Sequence, residues 1–211
     1  MSRSRWYGKA GTRFAHSSLL LWEFELDAQT DLFGSDEVRR DAHFFGPYRI
    51  RLTRDWERGR RAMVIGCNPS SADALQDDPT SRWWNKWFRQ AGFGGYDALN
   101  LYPFCTSSPK ACRQITENLT NLDRAALFEH NLPLLVATAQ TVDQIFVCWG
   151  GIAWDQVWID RVYAEILRSI GGRDSLWCWG ITKAGAPKHP LARGQHRILS
   201  DQPVEIWAPR P

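Results

Sequence analysis

Short apolar runs recur along the chain, separated by longer amphipathic stretches. Residues 62–65 (AMVI) form a continuous apolar run of the kind a buried parallel strand makes. Runs at 96–101, 144–149 and 175–179 repeat the pattern. Upstream, Tyr48, Ile50 and Leu52 alternate with Arg49 and Arg51, which predicts a half-buried strand at a sheet edge over 47–56. The VEIW run at 204–207 suits a last short strand. Helices are predicted over 81–90, ended by Gly92 and the Gly94–Gly95 pair, over 120–139 with an interruption at Pro133, and over 154–170. Strands alternating with helices predict an α/β fold: a three-layer α/β/α sandwich around a central, mostly parallel four-stranded sheet with right-handed crossovers. Residues 1–45 do not follow this pattern. Their Arg, Gly and Ser with one apolar patch at 19–24 predict an N-terminal extension holding a short strand or helix, ahead of a single domain over 46–211.

Composition narrows the class. A chain of 211 residues with 44% hydrophobic content buries a sizeable core, and twelve tryptophans leave some flat rings for a surface. The formal charge of +3, from 26 basic against 23 acidic residues, permits nucleic acid as a partner without requiring it. Five cysteines, with no C-x-x-C pair, argue against a disulfide framework or zinc knuckle and for a reducing cytoplasm. No apolar run approaches membrane-spanning length. Walker-type phosphate loops, dinucleotide fingerprints and a G-x-S-x-G elbow are absent, so no cofactor is expected.

Three polar clusters follow predicted strands, and a parallel sheet brings the carboxyl ends of its strands to one edge. The first is Gly66-Cys67-Asn68-Pro69-Ser70, where the proline stiffens the loop at the asparagine. The second is Asn100, at the end of YDALNL. The third is Lys188-His189-Pro190. Singly, each also reads as an ordinary turn, cap or loop residue. Cys67 beside Asn68 is either a nucleophile or, with no histidine near in sequence, a buried strand-end thiol.

The motif GCNPS resembles the first motif of the uracil-DNA glycosylase superfamily, in the G-x-N-P form of its mismatch-specific branch. Asn100 is similar to the asparagine with which that superfamily reads the base, and His189-Pro190-Leu191 resembles its late His-Pro-Ser motif. The fuller set NPSSADALQDDPTSR, NLYPF, WGG and GITKAGAPKHPL resembles a family of bacterial and phage proteins catalogued as a domain of unknown function. The resemblance implies a glycosylase-like fold and a flipped nucleotide as substrate. Asn68 would orient water toward C1′, helped by a carboxylate such as Asp78. Asn100 would read the base edge, and His189 would stabilise charge on the departing base. Gly66, Cys67, Pro69 and Ser70 would shape the pocket, together with Trp84. Ser70 and Leu191 depart from the superfamily pattern, which argues against a tight uracil pocket and for a larger modified or damaged base, a pyrimidine first, or a different nucleotide-like substrate, in repair or anti-phage defence.

The surface chemistry admits DNA as the partner, single- or double-stranded, and no obligate protein partner is evident. RWWNKWFR over 82–89 holds three cations, four aromatics and no acid: Arg82 and Lys86 would track phosphates and the rings would stack bases, or the rings form the inner face of an amphipathic helix. The loop 181–197 carries Lys183, Lys188 and Arg193 without an acidic residue, suiting phosphate contact or simple solvation. Two further readings stay open. Asp73, Asp77 and Asp78 with His189 would hold a divalent metal for phosphoester hydrolysis, or the fold would be a non-catalytic nucleic-acid or nucleotide binding module. Asp78-Pro79-Thr80 fits equally well as a helix cap.

Overall fold

A computed structural model describes residues 39–199 and 202–209. The expected extension over 1–45, with its patch at 19–24, lies outside the described residues as far as residue 38. From there the chain enters strand β1 (Arg40–Phe45). The remaining strands are β2 (Tyr48–Asp55), β3 (Arg60–Gly66), β4 (Phe93–Asn100), β5 (Gln144–Val147), β6 (Leu176–Cys178) and β7 (Glu205–Ile206). The helices are α1 (Pro79–Gln90), α2 (Pro109–Glu117), α3 (Asn121–Gln140) and α4 (Gln156–Ile170). The protein is α/β, with one mixed seven-stranded sheet in the order β1-β2-β4-β3-β5-β6-β7. Neighbours from β4 to β6 pair in parallel, whereas β1, β2 and β7 add antiparallel strands at the two sides. The sheet is therefore wider than four strands, and β2 is an interior strand rather than the edge.

The alternation along β3 shows how the sheet is covered. Met63 and Ile65 join the core beneath α3 and α4, while Ala62 and Val64 join the core beneath α1. All four are fully buried, as expected for a parallel strand with helices on both faces. On the α1 side Trp84 and Phe88 are buried, and Trp83 and Trp87 meet Trp179 edge-on with centroids 5.0 Å apart. Thus the aromatic stripe of RWWNKWFR packs on the sheet, because ring burial outweighs ring exposure at helical spacing.

Local chemistry explains the boundaries that differ from expectation. Gly94 and Gly95 do not end α1 but lie inside β4, where a Cβ at residue 94 would come within 2.3 Å of Glu57 O. The segment SSPKAC is helical because Ser108 caps α2 by accepting from Ala111 N and Pro109 starts it. Pro133 lies within α3 without dividing it. The basic loop after β6 is largely a tight hairpin: Ile181 bridges Pro187, Thr182 N donates to Ala186 O, and Gly185 N donates to Thr182 O. No helix among the described residues is long and apolar enough to cross a membrane.

Candidate functional site

Beyond the carboxyl ends of the parallel strands lies a cavity of about 310 Å³. That is at the lower end of small-ligand sites, which span about 300–1,000 Å³. Gly66 lines it from the end of β3, Cys67, Asn68 and Ser70 from the loop that follows, Asn100 from the end of β4, and His189 from just beyond the hairpin after β6. Asp78 and Trp84 line it from α1 and its cap. The register of the sheet makes this meeting unavoidable, since Gly66 pairs directly with Asn100.

Asn68 is oriented by its neighbours. Its Nδ2 donates to Thr106 O at 2.7 Å and to Pro69 O at 3.0 Å. Both partners are carbonyls, so the amide nitrogen must face them. Oδ1 then takes no hydrogen bond from a described residue, and Asn68 lines the cavity. Pro69 itself does not line the cavity. Its carbonyl accepts from Thr106 N at 2.9 Å and so holds the two loops together.

Asn100 is 4% exposed, and its buried Nδ2 has no hydrogen-bond partner among the described residues. An orphaned buried amide donor is costly in an empty site and specific in an occupied one. The end of β4 is fixed from behind: Asn131 Nδ2 donates to the carbonyls of Asn100 and Leu101, at 3.0 and 3.1 Å. Gly66 is what leaves Asn100 its place. A Cβ at residue 66 would lie 2.8 Å from Asn100 Oδ1. Since that atom ends a flexible side chain, Gly66→Ala should displace the amide rather than the backbone. We expect ligand affinity to fall by about tenfold, the value of a hydrogen bond to a buried amide. The thermal midpoint should hardly move, and titration beside a melting curve checks both.

His189 has one ring nitrogen assigned by the backbone. Leu191 N donates to Nδ1 at 3.1 Å, so the neutral ring carries its proton on Nε2. Burial pushes the imidazole pKa down, and the nearby Asp78 charge only partly opposes this. Gly150, the first glycine of WGG, sits at φ +72° against the histidine, where a Cβ would lie 3.4 Å from His189 Cβ. The sign of the pH effect follows. Between its lowered folded pKa and the ordinary value near 6.5, the unfolded chain binds a proton that the folded chain does not. Stability from this residue is complete above that ordinary value and is lost as pH falls through the folded pKa. Melting curves of wild type and His189→Asn at pH 8 and pH 5 test this; acidification should lower the wild-type midpoint by more than the variant's.

The aspartates separate. Asp78 is the N-cap of α1, with Oδ1 accepting from Ser81 N at 2.8 Å, while its Oδ2 takes no hydrogen bond from a described residue. Asp77 is held by Arg40, Arg54 and Asn85. Burial alone would raise its carboxyl pKa, yet the arginines keep it lowered. The Asp73 carboxylate accepts from Gln76 N and Leu75 N, and these bonds lower its pKa. No group of three or more His, Cys, Asp or Glu among the described residues is placed to hold a metal, which removes the geometric basis for a metal site in this loop. Burial, with Cys112 nearby, pushes the Cys67 thiol up to about 12, which disfavours the thiolate that a nucleophile needs.

The five cations expected to contact nucleic acid do not line the cavity. Arg82, Lys86, Lys183 and Arg193 are exposed, and Arg82 donates to Asp77 O at 2.6 Å. Lys188 is half-buried, with its stem against Gly180. Trp84 is 4% exposed and forms cavity wall and core together.

One residue was hidden from the sequence pattern. Arg49 lines the cavity, although alternation along β2 places it on the solvent side. The register explains why: Arg51 pairs with His43 but Arg49 pairs with Phe44, so Ile50 is an extra residue in a β-bulge. The bulge flips the phase, putting Arg49 on the face of Leu52 and Arg54. No curated protein and no solved structure matches the chain. Residues 49–191, from this arginine to the leucine that ends the histidine motif, match one family, and the chain belongs to it: Protein of unknown function (DUF1643).

Proposed function

We propose that the protein is a DNA glycosylase that hydrolyses the N-glycosidic bond of a flipped, modified pyrimidine nucleotide. The observation that carries this reading is one cavity holding three outward polar functions from three segments: the Asn68 Oδ1 acceptor, the orphaned Asn100 Nδ2 donor and the His189 Nε2–H donor. The motif resemblance to the uracil-DNA glycosylase superfamily assigns their roles. A base edge sits on Asn100. A water accepted by Asn68 Oδ1 attacks C1′, the C1′–N bond breaks, and its electron pair leaves with the base. His189 Nε2–H hydrogen-bonds the oxygen on which that charge collects. The water's proton passes to Asp78 Oδ2 or to solvent, and the base is protonated on release. Because an asparagine amide does not titrate near neutrality, Asn68 positions the water and does not deprotonate it, so turnover is slow.

Base extrusion demands that the nucleotide enter from outside, and Ile152 and Leu191, 49% and 43% exposed, give the cavity an apolar rim for a flipped ring. Incubation with DNA carrying no modification, uracil, mismatches or bulky modified pyrimidines tests the reading, with abasic sites scored by alkaline cleavage. Abasic sites made on one substrate by the wild type, and not by His189→Ala, are expected. Binding without abasic sites on every substrate would replace the enzyme with a binding module.

A further inference from the structure

The buried cation in this cavity makes no direct ion pair among the described residues. Arg49 is 3% exposed, lines the cavity and forms no ion pair within 4 Å among the described residues. Its Nη1 is tied back, donating to Ala72 O at 2.8 Å. Neither the buried Nε nor Nη2 makes a hydrogen bond to a described residue. Nε–H and the adjacent Nη2–H are the side-on fork of a guanidinium, the edge that takes two oxygens of one anion. Asp78 also faces the cavity, but its Oδ1 caps α1 and its charge reaches Arg49 only at a distance.

We propose that the natural ligand carries an anionic group, a carboxylate or a phosphate, seated two-pronged on the Nε/Nη2 edge of Arg49 while its planar amide edge meets Asn100. A guanidinium stays protonated in a protein, so an empty site leaves a full charge desolvated. Burial pulls its pKa down, the direction a bound anion would oppose. A neutral pyrimidine would leave the fork empty. As a statement about substrate this rests on the glycosylase reading; as a statement about binding it does not.

Calorimetric titration of the full chain with two matched pairs tests it. 5-Carboxyuracil against uracil places the charge on the base; deoxyuridine monophosphate against deoxyuridine places it on the sugar. One charged member should bind at least about tenfold tighter than its neutral counterpart, as a charge-assisted pair requires. Which pair shows the preference names the source. Arg49→Gln should erase that preference, and Arg49→Lys, which keeps the charge but loses the fork, should retain part of it. Equal binding within both pairs in the wild type, no binding by any of the four, or a preference that survives Arg49→Gln would overturn the proposal. The wild-type comparison stands even if a variant folds poorly. Abasic sites on DNA with no charge preference would defeat this inference alone, and a charge preference without abasic sites would defeat the glycosylase reading alone.

Discussion

Asn68→Ala is expected to lower the rate of base release by about 10²–10³-fold, the range for removing one preorganised polar group that acts on the reacting centre. The side chain has two jobs. Through Nδ2 it ties the loop after β3 to Thr106, and under the proposed glycosylase reading its Oδ1 would accept from the attacking water. The first job is structural and worth about 1 kcal/mol, a small loss that a melting curve reads directly. The second acts only on the step that breaks the bond, so it should appear in kcat and leave KM nearly unchanged. Asn100→Ala should do the reverse, raising KM by removing the base-edge contact. The pair of variants therefore separates positioning of water from recognition of the base. Asn68→Asp is not a gain of function, since it sets a carboxylate oxygen against two carbonyls that now receive donors. A rate for Asn68→Ala within about threefold of wild type would remove this residue from the chemistry, because loss of a transition-state contact costs far more.

The elements buried on both faces were the ones legible in the sequence. Residues 62–65 read as a central strand because no polar residue interrupts them, and a parallel strand has no solvent face to mark. Once such strands are placed, their carboxyl ends are placed too, so the sequence puts Gly66, Asn68, Asn100 and His189 at one edge, and they do line one cavity. What was not legible depends on tertiary partners. β1 has mostly exposed residues and is defined by its pairing with β2 rather than by period. Helix α2 carries no long apolar run and is marked only by Ser108 as its cap and Pro109 in its first turn. Arg49 was missed for a sharper reason: a single extra residue at Ile50 inverts the inward face, and no composition signal marks a bulge without glycine. The tryptophans of α1 offered two readings of equal chemistry, and the sheet decided for the core.

Arg54→Met is expected to destabilise the fold by about 3 kcal/mol, the low end for removing one partner of a buried charge cluster. Arg54 is 1% exposed, and its guanidinium is shared among four acceptors on three segments. Nε donates to Asp77 Oδ1 at 2.9 Å, Nη2 to Asp73 O at 2.6 Å, and Nη1 to Thr53 O at 2.8 Å and Asp41 O at 3.4 Å. Methionine fills much of the space and satisfies none of these. Asp77 keeps Arg40 and Asn85, which is why the low end applies. The Asp73 carbonyl and the Asp77 carboxylate belong to the loop between Asn68 and the Asp78 cap, so this arginine fastens to β2 the loop that lines the cavity. Arg54→Lys should recover only part of the loss, because one ammonium cannot address the Asp77 and Asp73 oxygens with a planar fork. Urea unfolding gives the comparison, and it should be run with the ligand titration below the transition. If the loop is fastened as described, Arg54→Met weakens ligand binding even where the protein is fully folded, since Arg49 Nη1 leans on Ala72 O in the same loop. A midpoint and an affinity both unchanged in Arg54→Met would show that the loop is held by its own turns, and that the arginines beneath it act separately.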